Sequence, residues 1–208
     1  MTYAREKGGA ALRALSFAER AGLLKAIADA LTAKRDSYFE LALANSGNTK
    51  VDAAIDIDGG IGTIKYFARL GDSLGAAKTL KDGRFERLAK DEAFQAMHLS
   101  VPLRGVAVHI NAFNFPSWGL WEKAAVAILS GVPVLAKPAT ATALLSERMV
   151  RDVIAAGVLP DGVLNLVCGA AREITDNITG QDVIAFTGSA DTARILKVHP
   201  NVIASAAR

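Results

Sequence analysis

Four short apolar runs in the second half of the chain constrain its fold most. Residues 106–110, 132–136, 163–167 and Val183–Phe186 are each followed by sequence of helical character. That alternation reads βαβα. Runs so uniformly apolar suit strands covered on both faces, and the right-handedness of crossovers then favours a doubly wound parallel sheet. The expected fold class is α/β, a Rossmann-like sheet preceded by helices. A fifth run, 202–206, reads as one more strand, cut short.

The first half reads helical. Ser16 followed by Glu19 is a capping-box signature, and Phe17, Ala21, Leu24, Ala28 and Leu31 recur at helical spacing, so a helix is predicted over Phe17–Ala33. A shorter helix is expected over 36–44, stopped by Gly47, and a longer one over 50–70, although Gly59, Gly60 and Gly62 weaken its middle. From Gly71 the pattern loosens, and 94–101 alternates well enough for an exposed strand ended by Pro102. The organisation predicted is N-terminal helices over 1–83, a strand excursion suited to subunit contact over 84–104, and a βα core over 105–208.

Composition narrows the function classes. With 51% hydrophobic residues in 208, the chain can bury a substantial core. Its formal charge of +3 is spread among alternating signs, as in Lys81-Asp82-Gly83-Arg84-Phe85-Glu86-Arg87, which reads as a solvated face and not a nucleic-acid patch. Cys168 is the single cysteine, which excludes an internal disulfide and fits a reducing compartment, so a cytoplasmic protein is expected. The first seven residues lack a signal-peptide core, and the longest apolar stretch, 124–136, is broken by Ser130 and Gly131, so neither export nor a membrane span is indicated. His98, His109 and His199 show no metal-ligand spacing.

Parallel sheets gather ligands at the carboxyl ends of their strands. The first strand end carries Asn111 and Asn114, whose amides can donate to a developing oxyanion or simply serve a turn. The second carries Lys137-Pro-Ala-Thr140, where a lysine can reach ribose or phosphate and Thr140 can cap the next helix. Cys168-Gly169 follows the third; the thiol, among apolar residues, reads as a buried structural cysteine, and Gly169 as a place where backbone can approach a flat ring. The fourth gives Phe186-Thr-Gly-Ser189 before helix-forming sequence, and Gly188 with Ser189 at a helix start suits a phosphate. No GxGxxG fingerprint or P-loop motif is present.

In order, "AFNFP", "KPAT" and "FTGS", each at a strand end, resemble the aldehyde dehydrogenase superfamily. "GVAVHINAFNFPSWG" with "DIDGGIGT" (residues 56–63) upstream resembles the semialdehyde dehydrogenases of phenylacetate and benzoyl-CoA degradation, and the resemblance covers essentially the whole chain. It implies that Asn114 is the oxyanion-hole asparagine. It further implies that Lys137 contacts the adenosine ribose, Gly188 and Ser189 the pyrophosphate and Gly169 the adenine, with Lys123 near the active site. The implied substrate is an aldehyde, a semialdehyde carried on coenzyme A, oxidised by a homo-oligomeric enzyme.

Three departures from the family pattern matter. Thr140 stands where many NAD-preferring members have a glutamate that would repel a 2′-phosphate, so NADP is the expected cofactor, with NAD possible. Ala193 replaces a frequent glycine. The family's nucleophilic cysteine and general-base glutamate follow the "FTGS" element by more than this chain supplies, and Cys168 precedes it. The chain is therefore expected to be an N-terminal fragment, without the catalytic domain and inactive alone. The alternative expectation is a non-catalytic NADP(H)-binding module.

Overall fold

The computed structural model describes residues 1–170 and 172–206. A π-helical turn, Ala4–Gly8, runs into α1 (Gly9–Ala14), and three longer helices follow: α2 (Phe17–Ala33), α3 (Arg35–Ser46) and α4 (Lys50–Leu74). The capping box holds: the Ser16 hydroxyl accepts from Glu19 N, and the Glu19 carboxylate accepts from Ser16 N at 2.7 Å. Gly47 ends α3 with φ of 65°, the left-handed conformation expected of it.

Of the three glycines that weaken the middle of α4 on propensity, Gly59 and Gly60 are packing positions, as is Gly71 further along, whereas a Cβ on Gly62 would meet nothing within 4 Å. A Cβ on Gly59 would lie 2.6 Å from the Trp118 ring, and one on Gly71 would lie 2.6 Å from Leu129. Both contacts are with α5 (Trp118–Leu129), which lies against α4 more closely than side chains would permit. Helix propensity is a local cost of about 1 kcal/mol per glycine. Here it is offset by burial of Trp121, Leu120 and Ile128, each fully buried and worth roughly 1.5–3 kcal/mol.

Two expected boundaries move. Helix α4 continues to Leu74 and ends at Gly75, with φ of 68°, and the excursion begins at Leu80, not residue 84. It is an antiparallel hairpin of β1 (Leu80–Arg87) and β2 (Gln95–Ser100), with an irregularity between Asp82 and Glu86. Strand β1 escapes the sequence pattern because every residue of it is exposed, leaving no apolar face to alternate.

The core sheet comprises β3 (Ala107–Ile110), β4 (Val134–Lys137), β5 (Leu164–Leu166) and β6 (Val183–Phe186), all parallel, in the order β5-β4-β3-β6. Helix α5 connects β3 to β4, and α6 (Ala143–Ala155) connects β4 to β5. The chain then returns across the sheet through a 3₁₀ segment, Arg172–Asn177, to place β6 on the other side of β3. Helices α7 (Ala190–Val198) and α8 (Pro200–Ile203) follow.

The expected fifth strand is not formed. Pro200 stands at the start of α8, where its missing N–H costs nothing, and Asn201 Nδ2 donates to Thr175 O and Asp176 O. Those bonds hold the segment as a helical turn beside the 3₁₀ segment instead of at a sheet edge. Cys168 is exposed, contrary to the expected burial, because it lies past the end of β5, the edge strand. No helix among the described residues is long and apolar enough to cross a membrane.

Candidate functional site

The strand order creates a topological switch point. Beyond β3 the chain moves towards β4 and β5, whereas β6 returns to the opposite side, so the segments after β3 and β6 diverge and leave a crevice. Register puts the three strand ends level: Ile110 lies opposite both Lys137 and Phe186. A cleft of about 1180 Å³ opens there, lined by Asn111, Asn114, Lys137, Gly188 and Ser189 among others.

Four of the six candidate residues therefore share one cleft. Thr140 and Gly169 do not line it, although their neighbours Ala139 and Ala170 do. Nor does Thr140 cap the next helix: it opens a 3₁₀ turn, Thr140–Thr142, and the Thr142 hydroxyl donates to Phe113 O. Gly169 has φ of 98°, so its backbone requires glycine, while a Cβ there would meet no atom within 4 Å.

The β6 end is built for an anion. Ser189 is the N-cap of α7, its hydroxyl accepting from Thr192 N, so the first amides and the positive end of the helix dipole face the cleft. A Cβ on Gly188 would lie 2.6 Å from the Phe186 ring, which keeps that backbone bare. Hydroxyls of Ser189 and Thr192, the Lys137 ammonium and the apolar wall of Ile174, Ile195 and Leu196 complete the lining. Helix-start amides, a cation and an apolar slot in one crevice have the chemistry to fit a dinucleotide. Among the described residues no group of three or more His, Cys, Asp or Glu could hold a metal ion.

Asn114 borders a second, smaller hollow of about 260 Å³, with Phe115, Trp118, Glu122, Lys123 and Thr187. Lys123 donates to Gly119 O at 3.1 Å and to Glu122 at 2.9 Å. The asparagine thus stands where the larger cleft meets a smaller pocket. Cys168 lines neither.

Some features of the site escape sequence reading. His109 is buried on β3, and burial, reinforced by Lys123, pushes its imidazole down to about 3, so it is neutral near pH 7. Asp56 is 1% exposed and accepts from Ser117 N and Trp118 N at the start of α5. Burial raises its carboxyl above the usual range, with those two bonds pulling the other way. Its signal was the spacing Asp56, Gly59, Gly60, which places a carboxylate and two small residues on one helix face.

Comparison with known proteins carries the same pattern. The chain is 57% identical, over all 208 residues, to the 3,4-dehydroadipyl-CoA semialdehyde dehydrogenase of Aromatoleum evansii, of which it spans 40%. It is 30% identical over 179 residues, 85% of this chain, to the D-glyceraldehyde dehydrogenase (NADP(+)) of Picrophilus torridus, spanning 34% of that protein. The solved NAD-dependent benzaldehyde dehydrogenase from Corynebacterium glutamicum superposes on 90% of this chain and 39% of its own, with a TM-score of 0.74 at 26% identity. The chain thus spans well under half the length of these relatives. Residues 1–202 match the model of the aldehyde dehydrogenase family, and with the switch-point cleft and its three strand-end motifs this chain belongs to that family.

Proposed function

We propose that the chain is the cofactor-binding part of an NADP-linked aldehyde dehydrogenase acting on an aliphatic semialdehyde carried on coenzyme A, in the breakdown of aromatic compounds. The observation that carries this reading is the meeting, in one cleft, of Asn114 with the anion-binding start of α7 at Gly188 and Ser189. The substrate class is supported by the 57% identity to a CoA-semialdehyde dehydrogenase.

The residues take these roles. Asn114 Nδ2 donates to the aldehyde oxygen as it gains negative charge, a donor that needs no proton transfer to act. Amides at Gly188 and Ser189 receive the pyrophosphate, Lys137 the ribose, and the backbone at Gly169 approaches the adenine. Lys123, paired with Glu122, lies beside the same hollow and brings an ammonium donor near Asn114. A nicotinamide cofactor, when bound, supplies the oxidant.

Thr140 supports NADP, because no carboxylate stands there to oppose a 2′-phosphate. Titration of the chain with NADPH and NADH, followed by the fluorescence of the reduced nicotinamide, checks this. NADPH should bind more tightly, and Thr140→Glu should weaken NADPH about tenfold or more while sparing NADH, through like charge at the phosphate. Equal affinities in the unaltered chain would sink the assignment.

The 208 residues by themselves should bind NADP(H) and oxidise no aldehyde, because their single thiol, Cys168, lines neither hollow at Asn114. Turnover measured in the binding experiment tests this directly. Subunit contact falls to the β1–β2 hairpin, which exposes Phe85, Phe94 and Leu99. Sedimentation should show a homo-oligomer that dissociates on Leu99→Lys; an unchanged mass would remove the hairpin from the interface.

A further inference from the structure

Asn114 stands at an exposed loop tip between Phe113 and Phe115, which are 66% and 42% exposed. Such a tip has little packing of its own. An oxyanion donor has to be held to within a few tenths of an ångström, since its worth lies in needing no reorganisation. Something other than the tip has to hold it.

The backbone on both sides of Asn114 is gripped by buried side chains from other elements. Thr142 Oγ1 donates to Phe113 O at 2.9 Å, on the residue immediately before Asn114. Ser146 Oγ donates to Pro116 O at 2.8 Å, two residues after it. The Asp56 carboxylate, on α4, accepts from Trp118 N at 2.7 Å and from Ser117 N at 3.1 Å. All three gripping residues are at least nine-tenths buried.

Helix α5 cannot cap itself. Ser117, its N-cap residue, has helical φ and ψ of −84° and −59° and makes no side-chain cap bond; Gly119 N finds Phe115 O, but Ser117 N and Trp118 N rely on Asp56. A carboxylate suits that place, because it faces the positive end of a helix dipole. The approach of α4 depends on glycine: a Cβ on Gly59 would lie 2.6 Å from Trp118, and one on Gly60 2.9 Å from Ser117 Oγ. Asp56, Gly59 and Gly60 lie three and four residues apart, on one face of α4, so the carboxylate and the space it needs come from the same stripe.

We propose that Asp56, together with Thr142 and Ser146, positions Asn114. Asp56 fixes the start of α5 and hence the carboxyl side of the loop, and Thr142 fixes the amino side. Thr142 ends the turn that follows Lys137-Pro138-Ala139, so the segment facing the cofactor and the loop carrying Asn114 are joined by one hydrogen bond. The catalytic consequence rests on the reading of Asn114 as oxyanion donor; the positioning itself does not.

The test uses the whole chain, by NMR and amide hydrogen exchange. Asp56→Asn replaces an acceptor oxygen with an N–H that opposes the amides it faces. Exchange at Ser117 and Trp118 should then accelerate about ten- to a hundredfold, the loss of a hydrogen bond to a charged acceptor. The Asn114 side-chain amide, one sharp pair of signals in the parent, should broaden or double in Asp56→Asn and in Thr142→Val, while signals from α2 and the β1–β2 hairpin stay in place. Should Asp56→Asn fail to fold, Thr142→Val and Ser146→Ala decide alone, since each removes only a hydroxyl or its bond. An Asn114 amide signal identical to the parent in every folded variant overturns the proposal. Titration of the same proteins with NADPH separates the two readings: a parent chain that binds no dinucleotide refutes the functional reading and leaves the positioning result untouched.

Discussion

The two ends of the parallel sheet are finished in opposite ways. At the amino end, Asp182 is fully buried and accepts from Val106 N, Thr179 N, the Thr179 hydroxyl and Arg5, whose Nε lies 3.1 Å away. Although burial pushes its carboxyl up, those donors together hold it below the usual range. At the carboxyl end, Asn114 is exposed and Ser189 offers a helix start to an open cleft. One end stores stability in satisfied polar groups, and the other leaves polar groups available to a ligand. Both are polar, so polarity alone does not mark function; what distinguishes them is whether the partners already lie within the chain.

That contrast can be broken, most strongly at the closed end. Asp182→Ala strips Arg5 of its carboxylate, though not of Asn177 O, leaves two backbone amides without their acceptor, and should cost about 3–5 kcal/mol of folding stability, read by denaturant unfolding. Dinucleotide affinity at temperatures where the variant is still folded should be unchanged. A loss below about 1 kcal/mol would mean that the amino end is not the structural one.

The open end should behave in the reverse manner. In a polypeptide that carries these residues and oxidises aldehyde, Asn114→Ala should lower kcat about 100- to 1000-fold, the usual cost of an oxyanion donor. Its unfolding midpoint should barely move, because Asn114 is exposed. An unaltered kcat would return Asn114 to an ordinary turn residue.

His109, near the middle of the sheet, gives a smaller effect that sharpens the boundary between the ends. Its folded imidazole titrates at about 3, while in the unfolded chain it returns to about 6.5, so between those values only the unfolded state binds the proton. Stability is therefore lost as pH falls through that window, by at most about 1.4 kcal/mol per pH unit. Unfolding followed from pH 7 to 5 should show a difference of about 2 kcal/mol between the parent and His109→Gln, which has no such group to protonate. Parallel pH curves for the two proteins would place His109 in contact with solvent or a partner.

Much of the fold is legible in local sequence, and the reasons are local. Helix α2 follows from Ser16, Glu19 and an apolar stripe, α7 from Ser189, and the four core strands from short runs of Val, Leu, Ile and Ala. Where the reading fails, nonlocal contacts decide. Strand β1 has no buried face to signal it, and the 202–206 run is drawn into a helical turn by Pro200 and by Asn201's bonds to the 3₁₀ segment. Cys168 is apolar in its neighbours yet exposed, because β5 lies at the edge of the sheet.

The site divides in the same way. Sequence by itself determined the strand ends, their polar residues and the family, because motif and turn chemistry lie within a few residues of each other. It also named Asn114, Lys137 and the adjacent pair Gly188 and Ser189 without bringing the three strand ends together. Only the tertiary structure decided that β6 returns beside β3 and makes the crevice they share, and that Asp56, some sixty residues before α5, caps it. Hydrogen bonds and strand pairing act over about 3–5 Å whatever the separation along the chain, so a pattern read residue by residue fixes the parts, and packing alone fixes which parts meet.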